Sequence, residues 1–457
     1  MKHVSYRFGI AILCLNTFAS LAANATMSPY LERGEEIIEH KVPGRANEVC
    51  IIPNHFAAAK YSVKDLANEK KLCGLDVYSN AAVCPKTSST NPGLEMYSLP
   101  VGSSIRQVEA ANCIVTGSER EAKYKMSTSC SYTPSIVGYY HLSRILGGIA
   151  NVQPAVLRTF DLERHMEIGE KALRMTKSTD LIHMTWDSLM SGFRAGAASK
   201  RKDLLFTDNF DQSYGALLKN GGGGDFYPDF FNGGKENFVR AANFRDKNPS
   251  FALVKNKADA SSLVSRSFSQ ANVQKMVQMK DAVDMVILDT LMNQQDRFGN
   301  IDAFDTYYFY DDVVKNDDGT PKLRSEKKPT PEQMAKAVMV KEMILKDNDC
   351  GVAKDNVARG ASLAEAISHI DPKVYHRLLK LDSIADTEYV MTFFRKNLMF
   401  TADDYSGSKK GFRTNLKFLT NLLKTKCKAG TLKLDLDLDN HFSDQPLKRY
   451  SCDIAAN

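Results

Sequence analysis

The stretch from Val273 to Gly351 constrains the fold most, because it places four kinds of signal in a fixed order. Val273 to Asn293 carries apolar residues at helical spacing. A polar loop follows, Gln294-Gln295-Asp296-Arg297-Phe298-Gly299-Asn300. Two strand-like runs come next, Tyr307 to Tyr310 and Ala337 to Leu345, joined by a polar segment from Lys315 to Pro331 that reads as a solvated insertion. The second run ends in Lys346-Asp347-Asn348-Asp349-Cys350-Gly351. Asp-Arg pairs and Asp-Asn turns taken singly mostly mark exposed caps and loop hydrogen bonds. In the order helix, Asp-Arg loop, hairpin, Asp-x-Gly, however, both acidic loops are brought to one end of the hairpin. Phosphoryl transfer needs such a pair of loops. One carboxylate orients or deprotonates the attacking hydroxyl, a nearby side-chain oxygen helps to hold a cation, and a strand-terminal carboxylate links that cation to the phosphates. Asp296 suits the first role, Asn300 the second, and Asp349 or Asp347 the third.

Before this region lie signs of export. Lys2 and Arg7 precede a short apolar run, Phe8 to Leu15, and Ala23-Asn24-Ala25 fits a cleavage site, so residues 1–25 read as a signal peptide. Cys14 does not mark a lipid anchor, since Ile12 and Leu13 stand where small residues are wanted. Eight cysteines follow: Cys50, Cys73, Cys84, Cys113, Cys130, Cys350, Cys427 and Cys452. An even set in a chain bound for an oxidising compartment predicts disulfides, of a pattern that spacing does not fix. No CxxC pair occurs, so structural zinc is not expected. Lys2 and Arg7 supply two of the six net positive charges. The remainder is mildly basic, which favours acidic substrates slightly and does not describe a nucleic-acid binder. No later stretch is long and apolar enough to be a transmembrane segment.

The chain exceeds one ordinary core, and its 43% hydrophobic content is that of a globular protein, so two lobes or two domains are expected. Residues 26–95 contain turn-rich segments such as Pro85 to Gly93 and read as an irregular, disulfide-stapled N-terminal extension. From Ser104 to Met126, short alternating segments around Thr116-Gly117-Ser118 suggest strands and a turn. Pro134 opens a helical pattern that ends at Gly147-Gly148. A glycine-rich stretch, 219–234, lacks the Lys-Ser/Thr of a phosphate cradle and reads as a surface loop. Helical spacing recurs over Ala361 to Leu381, Thr387 to Phe400 and Thr414 to Lys424. The basic residues around that last helix read as a solvated face. The division expected is a signal peptide at 1–25, an extension at 26–95, a small lobe at 96–190 and a mainly helical lobe at 191–457.

The acidic cluster resembles the atypical secretory-pathway kinases of the Golgi casein kinase and xylosylkinase type, and more distantly HipA-type and type II phosphatidylinositol 4-kinases. In the secretory kinases a helical Asp-x-Leu precedes the catalytic Asp-Arg by seven residues, the spacing of Asp289, Leu291, Asp296 and Arg297 here. Their Leu-Asp-Asn-Gly metal loop is similar to Leu345 to Gly351, and Asp349-Cys350-Gly351-Val352-Ala353 is similar to the Asp-Phe-Gly-Leu-Ala of ordinary kinases. His141-Leu142-Ser143-Arg144-Ile145-Leu146 is similar to a helix of the same family. The strand before it, Ala122 to Met126, then offers Lys125 as the nucleotide lysine, with Lys123 on the same strand face as competitor. The turns Val101 to Ser104 and Thr116 to Ser118 could each meet a triphosphate through backbone N–H groups, with Gly117 and Ser118 placed ahead because they immediately precede that strand.

The resemblance implies an α+β, two-lobed atypical protein-kinase-like fold with a small β-rich N-lobe and a mainly helical C-lobe. It implies ATP with Mg²⁺ or Mn²⁺ as cofactors, and an extracytosolic protein (Ser/Thr) or glycan hydroxyl as acceptor. Asp296 would be the catalytic base, Arg297 a brace for its loop, and Asp349, Asp347 and Asn300 the metal residues. The exported location implied is a periplasm or a secretory lumen. The chain also departs from the family. Pro134 to Gly138 holds no acid to partner the lysine, Phe298 replaces a histidine, and Asn300 and Asp302 fall one short and one long of the usual metal position. These departures keep a second reading open, a pseudokinase that binds nucleotide or a protein partner without transferring phosphate.

Overall fold

Strands buried along most of their length build the first half of the molecule. The strands are β1 (Glu36–His40), β2 (Glu48–Ile52), β3 (Ala81–Pro85), β4 (Leu94–Ser98), β5 (Arg120–Lys125), β6 (Ala155–Asp161) and β7 (Gln212–Lys219). They form one sheet in the order β1-β2-β6-β7-β5-β4-β3, with antiparallel neighbours throughout. The structure, a computed structural model, describes residues 36–220, 224–227, 237–299, 301–316 and 319–453. The expected signal peptide, most of the glycine-rich stretch, and Asn300 lie outside the described residues.

Successive strand residues point to opposite faces, and both faces of this sheet are covered. Cys50, Val156, Tyr124 and Leu217 pack with Ile168, Trp186 and Leu189, which come from two helices, Leu162–Met175 and Leu181–Ala195. Val49, Ile51, Leu157 and Ala216 face the other way into a larger core shared with the helix Thr133–Ile145 and the helical half of the chain. That helix has Pro134 in its first turn, as its sequence predicts.

Residues from Glu36 onward in the expected irregular extension are ordered elements instead. They supply β1 to β4 and the helix Val63–Cys73, so the sheet runs across the boundary drawn at residue 95. The alternating segment after Ser104 is also partly helical. Ser104 caps the helix Ile105–Ala110, its hydroxyl accepting from Gln107 N while Gln107 reaches back to the Ser104 N–H. That reciprocal Ser-x-x-Gln pair outweighs a weak two-residue alternation.

The second half centres on the 23-residue helix Gln270–Met292, which is buried for most of its length. Asn293 adopts φ 51° and ends it. A second sheet follows, with β9 (Ile301–Lys315) at its centre between β10 (Pro321–Glu326) and β11 (Val338–Leu345), and a short β8 (Asp225–Phe226) paired to β9. The expected solvated insertion therefore contributes β10, and the glycine-rich stretch contributes β8 from its interior. Ala361 to Leu381, read as one helix, is broken into Leu363–Ala366 and Pro372–Ile384, because Pro372 and its cap Asp371 start a new helix. The fold is thus the expected α+β arrangement, a β-rich first part and a mainly helical second. Among the described residues four disulfides join Cys50 to Cys73, Cys84 to Cys113, Cys130 to Cys350 and Cys427 to Cys452. Their number fits an exported chain. Among the described residues no helix is long and apolar enough to cross a membrane.

Candidate active site

Because Ala122 and Tyr124 of β5 are committed to the inner core, strand alternation turns Lys123 and Lys125 to the opposite face. There Lys125 meets the loop after β11. Its Nζ donates to Asp349 Oδ2 at 3.0 Å and Asp347 Oδ1 at 3.2 Å. Burial works against the Lys125 ammonium, but Asp349 and Asp347 outweigh it and hold its pKa above the ordinary lysine range. Burial likewise opposes the charge on Asp347, and Lys125 overcomes it, keeping that carboxyl below its usual range. The two carboxylates differ in setting. The Asp349 side chain is 4% exposed, whereas that of Asp347 is 50% exposed.

The Asp349 loop is fixed from three directions. Cys350 is bonded to Cys130, Tyr132 N donates to Asp349 O at 2.9 Å, and Ser135 Oγ donates to Asn348 O at 2.6 Å. Gly351 fits because it has no Cβ, since one would stand 2.5 Å from Ser135 Oγ and 2.9 Å from Met292 O. Gly351→Ala is expected to destabilise the protein by about 1–3 kcal/mol through overpacking. Urea unfolding checks it, and a variant as stable as the parent would show that Ser135 and the Met292 backbone can yield.

The Asp296 loop is tied to the same place. Gln295 N donates to Cys350 O at 2.9 Å, and Gln294 Nε2 reaches Asp347 O at 3.4 Å. Asp296 is half-buried, and its N–H is held by Gln294 Oε1 at 3.1 Å. Arg297 points inward. Its Nε and Nη2 donate to Asp289 at 2.9 and 3.0 Å, and further bonds run to Lys346 O and Asn348 Oδ1. Tyr139 adds its hydroxyl to Asp289 at 2.8 Å. Asp289 thus anchors Arg297, and Arg297 holds the Asp296 loop against the Asp349 loop.

A cavity with an empty volume of about 840 Å³ opens beside Lys125, and Lys123, Asp347, Asp349 and Asp302 line it. Arg120, which pairs with Glu95, Lys219, whose Nζ donates to Asn68 Oδ1 at 2.7 Å, and Lys346 also line it and lie far apart in sequence. Only Lys346, next to Asp347, carried a local signal. Lys86 is a further residue that sequence does not single out. It donates to Asn91 O at 3.2 Å, and burial, then the nearby Lys125 charge, bring its pKa down to about 8. Burial, then Arg120, also lowers Lys123. Gly117 and Ser118 do not line this cavity. Ser118 Oγ instead donates to Ser98 O at 2.8 Å. Asp302, the alternative to Asn300, pairs with Lys346 at 2.9 Å.

No known protein-family profile matches the chain, and no curated protein matches it in sequence. Among solved structures it is similar to the Golgi casein kinase, in a crystal structure with Mn/ADP bound, at 13% identity over 83% of this chain and 78% of that one, with a TM-score of 0.40.

Proposed function

We propose that the protein is an exported ATP-dependent phosphotransferase of atypical kinase type, acting on a hydroxyl of an extracytosolic protein (Ser/Thr) or glycan. The observation that carries this reading is the Lys125 ammonium shared by Asp349 and Asp347 on the wall of a basic cavity. The loop bearing Asp296 is hydrogen-bonded to the loop bearing those carboxylates. Two carboxylates suit Mg²⁺ or Mn²⁺, which take one or two from the protein and complete their shell with water and nucleotide phosphate oxygens. Asp349 and Asp347 would hold the cation, which when bound offsets charge on the β- and γ-phosphates. Lys125 would then pair with the nucleotide phosphates, helped by Lys123 on the same strand face. Asp296 would accept the proton of the acceptor hydroxyl as it attacks. Arg297 is buried against Asp289 and acts as a brace.

Asp296→Ala carries the test. Mature protein is incubated with labelled ATP, Mn²⁺ and casein-like proteins or glycans. Transfer is expected to fall by a factor of about 10²–10⁴, the usual contribution of a positioned base, with ATP binding retained. Transfer undiminished in the variant would rule out this mechanism. One observation favours the pseudokinase as second reading, since the first turn of the helix Thr133–Ile145 brings no carboxylate to Lys125. ATP binding without transfer, in parent and variant alike, would decide for it.

A further inference from the structure

Away from this site, a second cavity of about 670 Å³ empty volume opens between the long helix Gln270–Met292, β11 and the helix Pro372–Ile384. Its lining carries both charges, with Lys280 beside the acidic groups of the long helix and Asp371 beside the basic ones. Asp281 and Asp284 come from one face of the long helix and Glu342 comes from β11, while Lys60, Lys373 and Arg377 stand on the other walls. Asp284 is 3% exposed, and its Oδ1 has no hydrogen-bond partner. An unmet carboxylate oxygen at that depth is costly and asks for a donor. Lys280 does not supply it, since its Nζ is taken by Asp284 Oδ2 at 2.8 Å and Asp371 Oδ2 at 3.4 Å. Among the described residues, the hydrogen bonds that reach Asp281 and Glu342 come from neutral groups, namely Met343 N at 2.9 Å, the Tyr227 hydroxyl at 3.4 Å and the Tyr308 hydroxyl at 3.2 Å.

We infer that this cavity binds a small zwitterion of the amino-acid type, its ammonium on Asp281, Asp284 and Glu342 and its carboxylate towards Lys60, Lys373 and Arg377. An ammonium presents three donors to carboxylates arranged around it. Lys373 is paired with Asp437 Oδ2 at 3.0 Å, and a simple amine would leave Lys60 and Arg377 unanswered. There the Lys60 ammonium is pushed down by burial and then by the charges of Arg377 and Lys373, so an anionic group between them relieves repulsion.

The inference is independent of phosphotransfer and is tested by binding to the mature protein. Glycine and 4-aminobutyrate serve as zwitterionic probes, with acetate and methylammonium as half-probes and sodium and calcium chloride as salt controls. Calorimetry is expected to show saturable binding of at least one zwitterion, with both half-probes weaker by about tenfold or more, the loss for one charged hydrogen-bonded end. Asp284→Asn and, separately, Lys60→Ala are expected to weaken the zwitterion by a similar factor. Should Asp284→Asn fold poorly, Glu342→Gln takes its place. Failure of every zwitterion to bind overturns the assignment. So does unchanged affinity in both variants, or a response that the inorganic salts reproduce.

Discussion

Asp289→Ala is expected to destabilise the protein by about 3–5 kcal/mol, the cost of leaving a buried charge without its partner. Arg297 is 1% exposed and Asp289 is 2% exposed, so water cannot replace the lost carboxylate. The substitution removes both Arg297 bonds to Asp289 and the acceptor of the Tyr139 hydroxyl. What remains for the guanidinium is Lys346 O and Asn348 Oδ1, neither of them charged. A surface comparison sets the scale. Asp305 pairs with Lys341 at 3.0 Å with both side chains about 40–45% exposed, and Asp305→Ala is expected to cost less than about 1 kcal/mol. Urea midpoints at unchanged slope give both values. Removing the partner as well, in Asp289→Ala with Arg297→Met, should recover part of the loss, because no buried charge is then left over. Equal effects at Asp289 and Asp305 would mean that the buried pair does not hold these loops.

Signals within one element were legible in the sequence, and signals between distant elements were not. The long helix followed from its spacing, and Pro134 marked its helix start, because both depend on neighbours three or four residues away. The reciprocal cap of Ser104 and Gln107 is equally local, but the short alternation around it resembles a strand and masks it. The choice between Lys123 and Lys125 stayed open in the sequence because both share a strand face. What separates them is the reach of one ammonium to a loop 222 and 224 residues further on. Cysteine pairing was open for the same reason, and Cys130 finds Cys350 across 220 residues. Gly117 and Ser118 have the composition of a phosphate-binding turn, yet Ser118 is spent on the Ser98 carbonyl. Arg120 and Lys219 converge on the cavity only through the pairing of β5 and β7.

That convergence also separates the two carboxylates left as alternatives by the spacing of Leu345 to Gly351. Asp349 is buried, and its neighbour Cys350 is bonded to Cys130 and accepts from Gln295 N. Asp347 is half exposed and sits at φ 48°, a left-handed conformation at a turn. A metal ligand works best where its rotamer is locked by its surroundings, so Asp349 is the stronger candidate. Asp349→Asn keeps the shape of the side chain and an oxygen for Lys125, so the fold should survive. If the phosphotransfer reading holds, that variant is expected to lose activity by a factor on the order of 10² or more, as when one positioned charge-stabilising group is removed. Asp347→Asn is expected to lose less, since water and nucleotide oxygens can take the place of an exposed ligand. Titration with Mn²⁺ and ADP alongside the transfer assay separates binding from chemistry. Loss of Mn²⁺-dependent ADP binding in Asp349→Asn alone would place the cation on Asp349. The reverse ranking would move the cation to Asp347 and leave Asp349 as the anchor of Lys125.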